Sequence, residues 1–369
     1  MRMLALLLGV AVLLVCPLAA QETPEVPALQ PAAELAKCEP FLGNWEGSGT
    51  ATMAPGAPSM PWTSKSTSKK VLGGHFIQDE IRVDFQGEQE MPPLIMRGYM
   101  GWDRERNRFV SVGVSSRGDS GTGEAYWLDD KTLVSVHASV RDGIPTIDRE
   151  ITRITENGMS FTVEHAEGAG SFFIMVEGSM KRSTTPYSIS AAEANITMAP
   201  ASEPMKRIAQ LAGSYQMQGN VIPGPGMAKM PISAEEHVKE LFGGTVLSFH
   251  ARSISLPGQP SYEGVGFLFW DANDDCYKQC WLSNMGEFFQ EEVRWSGENQ
   301  LVTTASSLQF GQPGVQRAVI NLGDDGAILR VAMDRISAGE RVQRAYEGEY
   351  KRLPKEVKKG LKEGMKKGY

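Results

Sequence analysis

Phe41-Leu42-Gly43-Asn44-Trp45 is answered by Leu211-Ala212-Gly213-Ser214-Tyr215, 170 residues further along the chain. Met60-Pro61 and Met230-Pro231 keep that offset, as do Leu72-Gly73-Gly74 and Phe242-Gly243-Gly244. The register then shortens to 168: Trp102-Asp103 meets Trp270-Asp271, Trp127 meets Trp295, and Gly143, Pro145 and Arg149 meet Gly311, Pro313 and Arg317. It returns to 170 for Glu177-Gly178 and Lys181-Arg182 against Glu347-Gly348 and Lys351-Arg352. So many matches at so few offsets mark a duplication, and a fixed period is the signature of repeated architecture. Each unit, 41 to 182 and 211 to 352, spans 142 residues, the size of one domain.

Within a unit the pattern is that of strands. From 75 to 85, His75, Ile77, Asp79, Ile81, Val83 and Phe85 share one face, while Phe76, Gln78, Glu80, Arg82 and Asp84 share the other. Comparable runs recur at 94–102, 109–115, 132–140, 161–165 and 172–177, separated by Gly, Asn and Asp turns. Only 35–41 and 205–211 read as helix, and both are short. The expected fold is all-β: two tandem antiparallel barrels, each preceded by a short helix.

Residues 1–20 read as a signal peptide, with Arg2, an apolar run from 4 to 15, and Ala19 and Ala20 before the cut. Val15 and Pro17 fit a lipid anchor at Cys16 poorly. The expected organisation continues with a leader over 21–33, a barrel over 34–182, a Ser/Thr/Ala/Pro-rich linker over 183–203, a second barrel over 204–352 and a basic tail over 353–369. Secreted or periplasmic localisation follows from the signal peptide. No later apolar run reaches the roughly eighteen residues of a spanning helix, so no transmembrane segment is expected.

The 369 residues are 41% hydrophobic and 22% charged, which excludes disorder. Net charge is −7, with no basic face in the body of the chain, which excludes nucleic acid as a partner. Beyond the signal, Cys38, Cys276 and Cys280 are an odd set that cannot all pair in one chain. Cys276 and Cys280 on one strand would lie roughly 13 Å apart, too far to bridge. Buried free thiols, with at most one long-range bridge involving Cys38, are expected.

Gly43-Asn44-Trp45 after a short helix, with Lys181-Arg182 ending the unit, resembles the calycin superfamily. In lipocalin-like barrels a G-x-W on the first strand packs beneath a basic side chain from the barrel's end. The indole closes one end, and a cation over its face gains about 0.5–2 kcal/mol. The second unit departs from this pattern with Tyr215, while Lys351-Arg352 remain. The whole unit resembles the bacterial secreted domain of unknown function family fifteen-seventy-nine, through Leu42 to Trp45, Leu72-Gly73-Gly74, Gly98 to Asp103 and Lys181-Arg182. That resemblance implies lipocalin-like (calycin) barrels and carries no activity. Among calycins the haem-binding nitrobindin type is a further alternative, but its ligand His cannot be placed here, so haem is not carried over and no cofactor is assigned.

Sharper motifs fail for lack of context. Asp119-Ser120-Gly121-Thr122 fits an aspartic-protease motif, yet the repeat puts Glu287, Phe288 and Phe289 where the second lobe needs its partner. Gly118-Asp119-Ser120-Gly121 echoes a serine nucleophile loop without its triad. Asp271-Ala272-Asn273-Asp274-Asp275 has calcium-loop oxygens, but Cys276 stands at the Gly position and Leu282 at the closing Glu, so a hairpin turn is expected. No metal site and no catalytic residue are assigned, and whether the protein is an enzyme stays open, with binding preferred.

The remaining signal is an asymmetry between repeats. His75 and Asp79, on the apolar face, become Thr245 and Phe249 in the second unit. A buried carboxylate must be paired or neutralised. Either this face is the wet interior of a pocket, or it faces solvent. The pocket reading expects a small apolar ligand in the first barrel, lined by Trp45, His75, Ile77, Asp79 and Trp102. The alternative is an envelope interaction module with solid barrels.

Overall fold

Period-two alternation carries each repeat through strand after strand with tight turns between. The computed structural model describes residues 30–87, 91–141, 144–222, 228–253, 261–309, 312–337 and 342–354. The expected signal peptide, most of the leader and most of the tail lie outside the described residues. In the first repeat the strands are β1 (Gly43–Ala51), β2 (Met60–Val71), β3 (Phe76–Phe85), β4 (Leu94–Asp103), β5 (Arg108–Ser115), β6 (Ser120–Trp127), β7 (Thr132–Arg141), β8 (Ile144–Thr155), β9 (Gly158–Glu167) and β10 (Phe173–Ser183). In the second they are β11 (Gly213–Val221), β12 (Met230–Leu241), β13 (Val246–Ser253), β14 (Glu263–Asp271), β15 (Cys276–Ser283), β16 (Phe288–Gly297), β17 (Gln300–Gln309), β18 (Gln312–Leu322), β19 (Ile328–Ser337) and β20 (Gln343–Arg352). Neighbours in sequence pair antiparallel, and β1 closes on β10 as β11 closes on β20, so each repeat is a closed barrel. Closure leaves no unpaired sheet edge.

Turn chemistry sets the corners. The Asp103 carboxylate accepts from the backbone N–H of Glu105 at 3.0 Å and Arg106 at 2.9 Å. Asp271 likewise accepts from Asn273 at 3.0 Å and Asp274 at 3.3 Å, which makes the calcium-like stretch a hairpin turn. Leu72, Gly73 and Gly74 all take positive φ, at 51°, 66° and 88°, and Phe242, Gly243 and Gly244 repeat this at 52°, 65° and 86°. Only glycine adopts such a run cheaply, which is why the pair recurs. This corner ends β2 and leaves His75 in a helical conformation, with φ −73° and ψ −21°.

A plug closes one end of each barrel. In the first repeat the 3₁₀ segment Ala33–Phe41 sets Leu35 and Cys38 against Ile77, Phe109, Ala125 and Leu133. In the second, helix α1 (Glu203–Ile208), capped by Ser202, delivers Met205 and Ile208 to a larger cluster with Leu211, Tyr215, Leu268 and Leu301. The cysteines 38, 276 and 280 are buried and free.

The two barrels share a core. Leu72, Phe76, Tyr99, Val112 and Val114 of the first pack with Phe242, Val246, Phe267, Cys280 and Leu282 of the second. These are equivalent positions in the repeats. Tyr99 meets its own counterpart Phe267 at 5.7 Å between ring centres, and the Thr122 hydroxyl donates to its counterpart Gln290 at 3.2 Å. His75 lies against Gly286 and Thr245 against Gly118, a pair of contacts exchanged by the same operation. The barrels therefore meet through a pseudo-two-fold axis, the geometry of an isologous dimer joined in one chain.

The connecting segment is docked on this assembly. Tyr187 N–H donates to Thr67 Oγ1 at 2.7 Å, Glu193 pairs with Arg82 at 2.9 Å, and Ile189, Ala194 and Ile196 pack on the shared core. The linker thus also acts as a strap. Strap and second barrel together bury residues that alternation assigns to the outer face. Gln78 donates to Tyr99 Oη at 3.0 Å and Glu80 pairs with Arg97 at 2.6 Å, so both are buried and satisfied.

Candidate functional site

Strand register defines what faces inward. Trp45 pairs with Ser66, Ser66 with Ile81, and Ser68 with Asp79, so 77, 79, 81, 83 and 85 line the first barrel. Asp79 continues the row into Gly98, Gly113 and Gly121 on successive strands. A methyl group added at Gly121 would meet nothing within 4 Å, and at Gly113 only a backbone oxygen at 4.0 Å. Three strands in a row present no side chain beside Asp79.

Burial tells the same story. On β3 to β5 the outward Phe76, Ile95, Tyr99, Val112 and Val114 are buried, whereas the inward Asp79, Ile81, Met96, Gly98, Met100 and Gly113 keep accessible surface. A solid barrel shows the reverse. Inward surface that a water-sized sphere can touch lies on an internal space, so the first barrel is hollow at this level.

Asp79 stands on that space. The Ser68 hydroxyl donates to its Oδ1. Burial drives the carboxyl up to about 6, against the lowering effect of Ser68, with Glu150 adding a like charge. Further round the wall, His165 Nδ1 and Asp148 Oδ1 are 2.6 Å apart, and Thr152 donates to Glu150 at 2.8 Å. Ser64 and Ser66 are buried inward hydroxyls.

The other sequence candidates lie elsewhere. His75 is not on the inner face: the positive-φ corner rotates it out of the alternation, and it packs between the barrels. Ile77 and Trp102 belong to the plug around Leu35 and Cys38. Trp45 also serves the closed end, its Nε1 donating to Phe41 O at 2.9 Å beneath the Arg182 guanidinium, 4.0 Å from the ring centre. Arg182 donates in addition to the carbonyls of Leu42 and Pro40. In the second repeat Tyr215 Oη donates to Leu211 O at 2.7 Å and accepts from Arg352 at 2.8 Å, so phenol and guanidinium keep the closure that indole and guanidinium make in the first.

Residues 30–182 match the family described as Protein of unknown function (DUF1579). The chain is two closed antiparallel barrels in tandem, and the first resembles this family. Among solved structures, the crystal structure of Rv2717c from M. tuberculosis is 14% identical, covering 42% of this chain and 99% of its own, with a TM-score of 0.35. A protein of unknown function from the DUF3598 family of Nostoc punctiforme PCC 73102 is 13% identical, covering 87% of this chain and 100% of its own, with a TM-score of 0.25. No curated protein matches the chain.

The second barrel carries an inward acid that sequence reasoning passed over. Glu236 pairs in register with Tyr215 on one side and Ala251 on the other, which puts it inside. Its signal was present: Ile232, Ala234, Glu236 and Val238 share one face of β12. Burial alone raises its carboxyl to about 7. The row that is open beside Asp79 reads Phe249, Gly266, Trp281 and Phe289 here. Trp281 covers Gly266, filling the space that glycines leave in the first barrel.

Two outer features offer less. Asp274, Cys276 and Glu292 converge like metal ligands, but the Lys278 ammonium already sits among them, 2.6 Å from Asp274 and 3.1 Å from Glu292. An open cleft of about 370 Å³ beside Trp45, Glu156 and Asn157 has Arg182 on its wall, already committed to the ring and two carbonyls.

Proposed function

We propose that the first barrel binds a small, mostly apolar molecule in the space beside Asp79, and that the protein acts outside the cytoplasm as a binding protein. The row Asp79-Gly98-Gly113-Gly121 carries this reading. Glycines there leave a slot floored by backbone, and the Asp79 carboxyl beside it, raised to about 6, supplies a polar anchor for an apolar ligand's hydroxyl, carbonyl or amine. Localisation rests on the signal-peptide pattern of 1–20.

The test is fluorescence titration with the neutral apolar probe N-phenyl-1-naphthylamine. Wild-type protein should enhance its emission saturably. Gly121→Leu, placed where the added side chain meets open space, should weaken binding by about tenfold or more by filling the slot. A wild-type protein that leaves the probe dark ends the proposal, as does a Gly121→Leu variant that binds equally well.

A further inference from the structure

We propose that the second barrel holds a site of different chemistry, for an organic cation such as a quaternary ammonium or alkyl amine, made by Glu236 and the aromatic side chains of Tyr262, Trp281, Tyr346 and Tyr350. This extends the interior-ligand reading to the second repeat and rests on the barrels being enterable.

Among the described residues Glu236 is unmatched where other acids of this barrel are matched. Glu291 accepts from Gln316 Nε2 at 2.9 Å, and Glu287 accepts from the Ser283 hydroxyl at 2.7 Å. Arg352, the cation whose register row leads through Tyr215 to Glu236, is committed to Tyr215 Oη at 2.8 Å, Gln210 O and Asp325. Among the described residues no hydrogen-bond donor and no cation contributes to Glu236, whose raised carboxyl is due to burial alone. A carboxylate in such a place is costly until a counter-charge arrives.

The surroundings select the kind of counter-charge. Register sets the rings on the inner wall near it: Tyr215 lies opposite Glu236, Tyr350 and Tyr346 follow on the inward face of β20, and the row from Glu236 runs through Ala251 to Gly264, which Trp281 covers and Tyr262 precedes by two residues. Their hydroxyls are already engaged: Trp281 Nε1 donates to Tyr262 Oη at 2.7 Å, and the Tyr346 and Tyr350 oxygens share a hydrogen bond at 3.0 Å. Tyr350 packs edge-on to Tyr215 at 6.4 Å between centres. What remains for a guest is aromatic surface and one free carboxylate, the combination that favours a large, weakly hydrated cation over an anion or a neutral acceptor. Inward Ala251, in register with Glu236, and Tyr346 and Tyr350 on β20 keep accessible surface, so the wall beside Glu236 is not packed solid.

The test is calorimetric titration of the full protein with choline and with its uncharged isostere 3,3-dimethylbutan-1-ol. Choline should bind at least tenfold more tightly at pH 8. Its affinity should rise about tenfold from pH 6 to pH 8 as Glu236, titrating near 7, ionises. The inner wall also carries Tyr215, Tyr262, Tyr346 and Tyr350, neutral in this range, Glu291, whose carboxyl burial raises as well, Arg335 across from Gln316, Glu287 near Tyr262, and Arg352 beyond Tyr215. Glu236→Gln should abolish both the preference and the pH trend. Equal binding of the isostere, affinity that falls as pH rises, or a preference that survives Glu236→Gln overturns the site. The pH profile of wild-type protein decides the matter even if the variant folds poorly. If neither choline nor its isostere binds while N-phenyl-1-naphthylamine still does, the cation site is refuted and the first-barrel reading stands; if none binds, both fall.

Discussion

The two barrels close alike and hollow differently. At the plugged end, Trp45 to Phe41 O and Tyr215 to Leu211 O are the same bond made by two donors, each under an arginine from the last strand. One row further in, Asp79-Gly98-Gly113-Gly121 faces Phe249-Gly266-Trp281-Phe289. Closure is a geometric requirement of the fold, so the repeats keep it even when indole becomes phenol. The lumen above the plug is under no such demand, and there the copies have diverged, in cavity shape and in the strand that bears the acid.

The strongest challenge to treating the barrels as halves of one unit is Phe267→Ala. Phe267 is 2% exposed at the pseudo-two-fold contact, and its truncation should cost about 3–5 kcal/mol in denaturant unfolding. A single cooperative transition that shifts as a whole is expected. Two separable transitions, with only one displaced, would show that the barrels are independent.

Next comes the contrast of interior acids. Folding raises Glu236 from 4.5 to about 7 and Asp79 from 3.8 to about 6, so the native state holds each proton more tightly than the unfolded chain. Their stabilising share is therefore complete below the unfolded values and is lost as pH rises through about 6 for Asp79 and about 7 for Glu236. At pH 8, Glu236→Gln should recover up to about 3 kcal/mol, and Asp79→Asn less, because Ser68 already supports that carboxylate. Thermal melts from pH 4 to pH 8 check this: a difference between variant and wild type that does not change with pH rules it out.

The alternation of 77 to 85 and the closing arginine were legible, because both are local or tied to a motif. The level of a residue along the barrel was not. Ile77, Asp79 and Trp102 all face inward, yet only Asp79 clears the plug, since strand tilt mixes heights that alternation cannot rank. His75 misled because one corner of positive φ breaks the alternation just before Phe76. The burial of Gln78 and Glu80 on the opposite face was not legible, because what covers them, the strap and the second barrel, is remote in sequence. Glu236 was legible from the β12 alternation, but comparing only matched positions hid it: its counterpart is Ser66, not Asp79.

The smallest effects concern the closed ends. Tyr215→Phe strips Leu211 O and Arg352 of a partner and should cost about 1–3 kcal/mol. Arg182→Met, which keeps the aliphatic stem over Trp45, should cost about 0.5–2 kcal/mol. Equilibrium unfolding of both variants would show whether phenol and indole closures differ in this order; the opposite order would mean that the arginine, through its ring contact and its two carbonyl bonds, holds the end more firmly than the phenol bond does.

The shared interface also sets a timetable for synthesis. Tyr99, Val112 and Val114 leave the ribosome about 170 residues ahead of Phe267, Cys280 and Leu282, the counterparts that cover them. At usual elongation speeds that is a wait on the order of ten seconds. During it the first repeat presents a face built to accept a near-copy of itself, and the first repeat of a neighbouring nascent chain is such a copy. The strap from Ser183 to Glu203 favours the correct choice by concentration, since it tethers the proper partner within reach as soon as it exists.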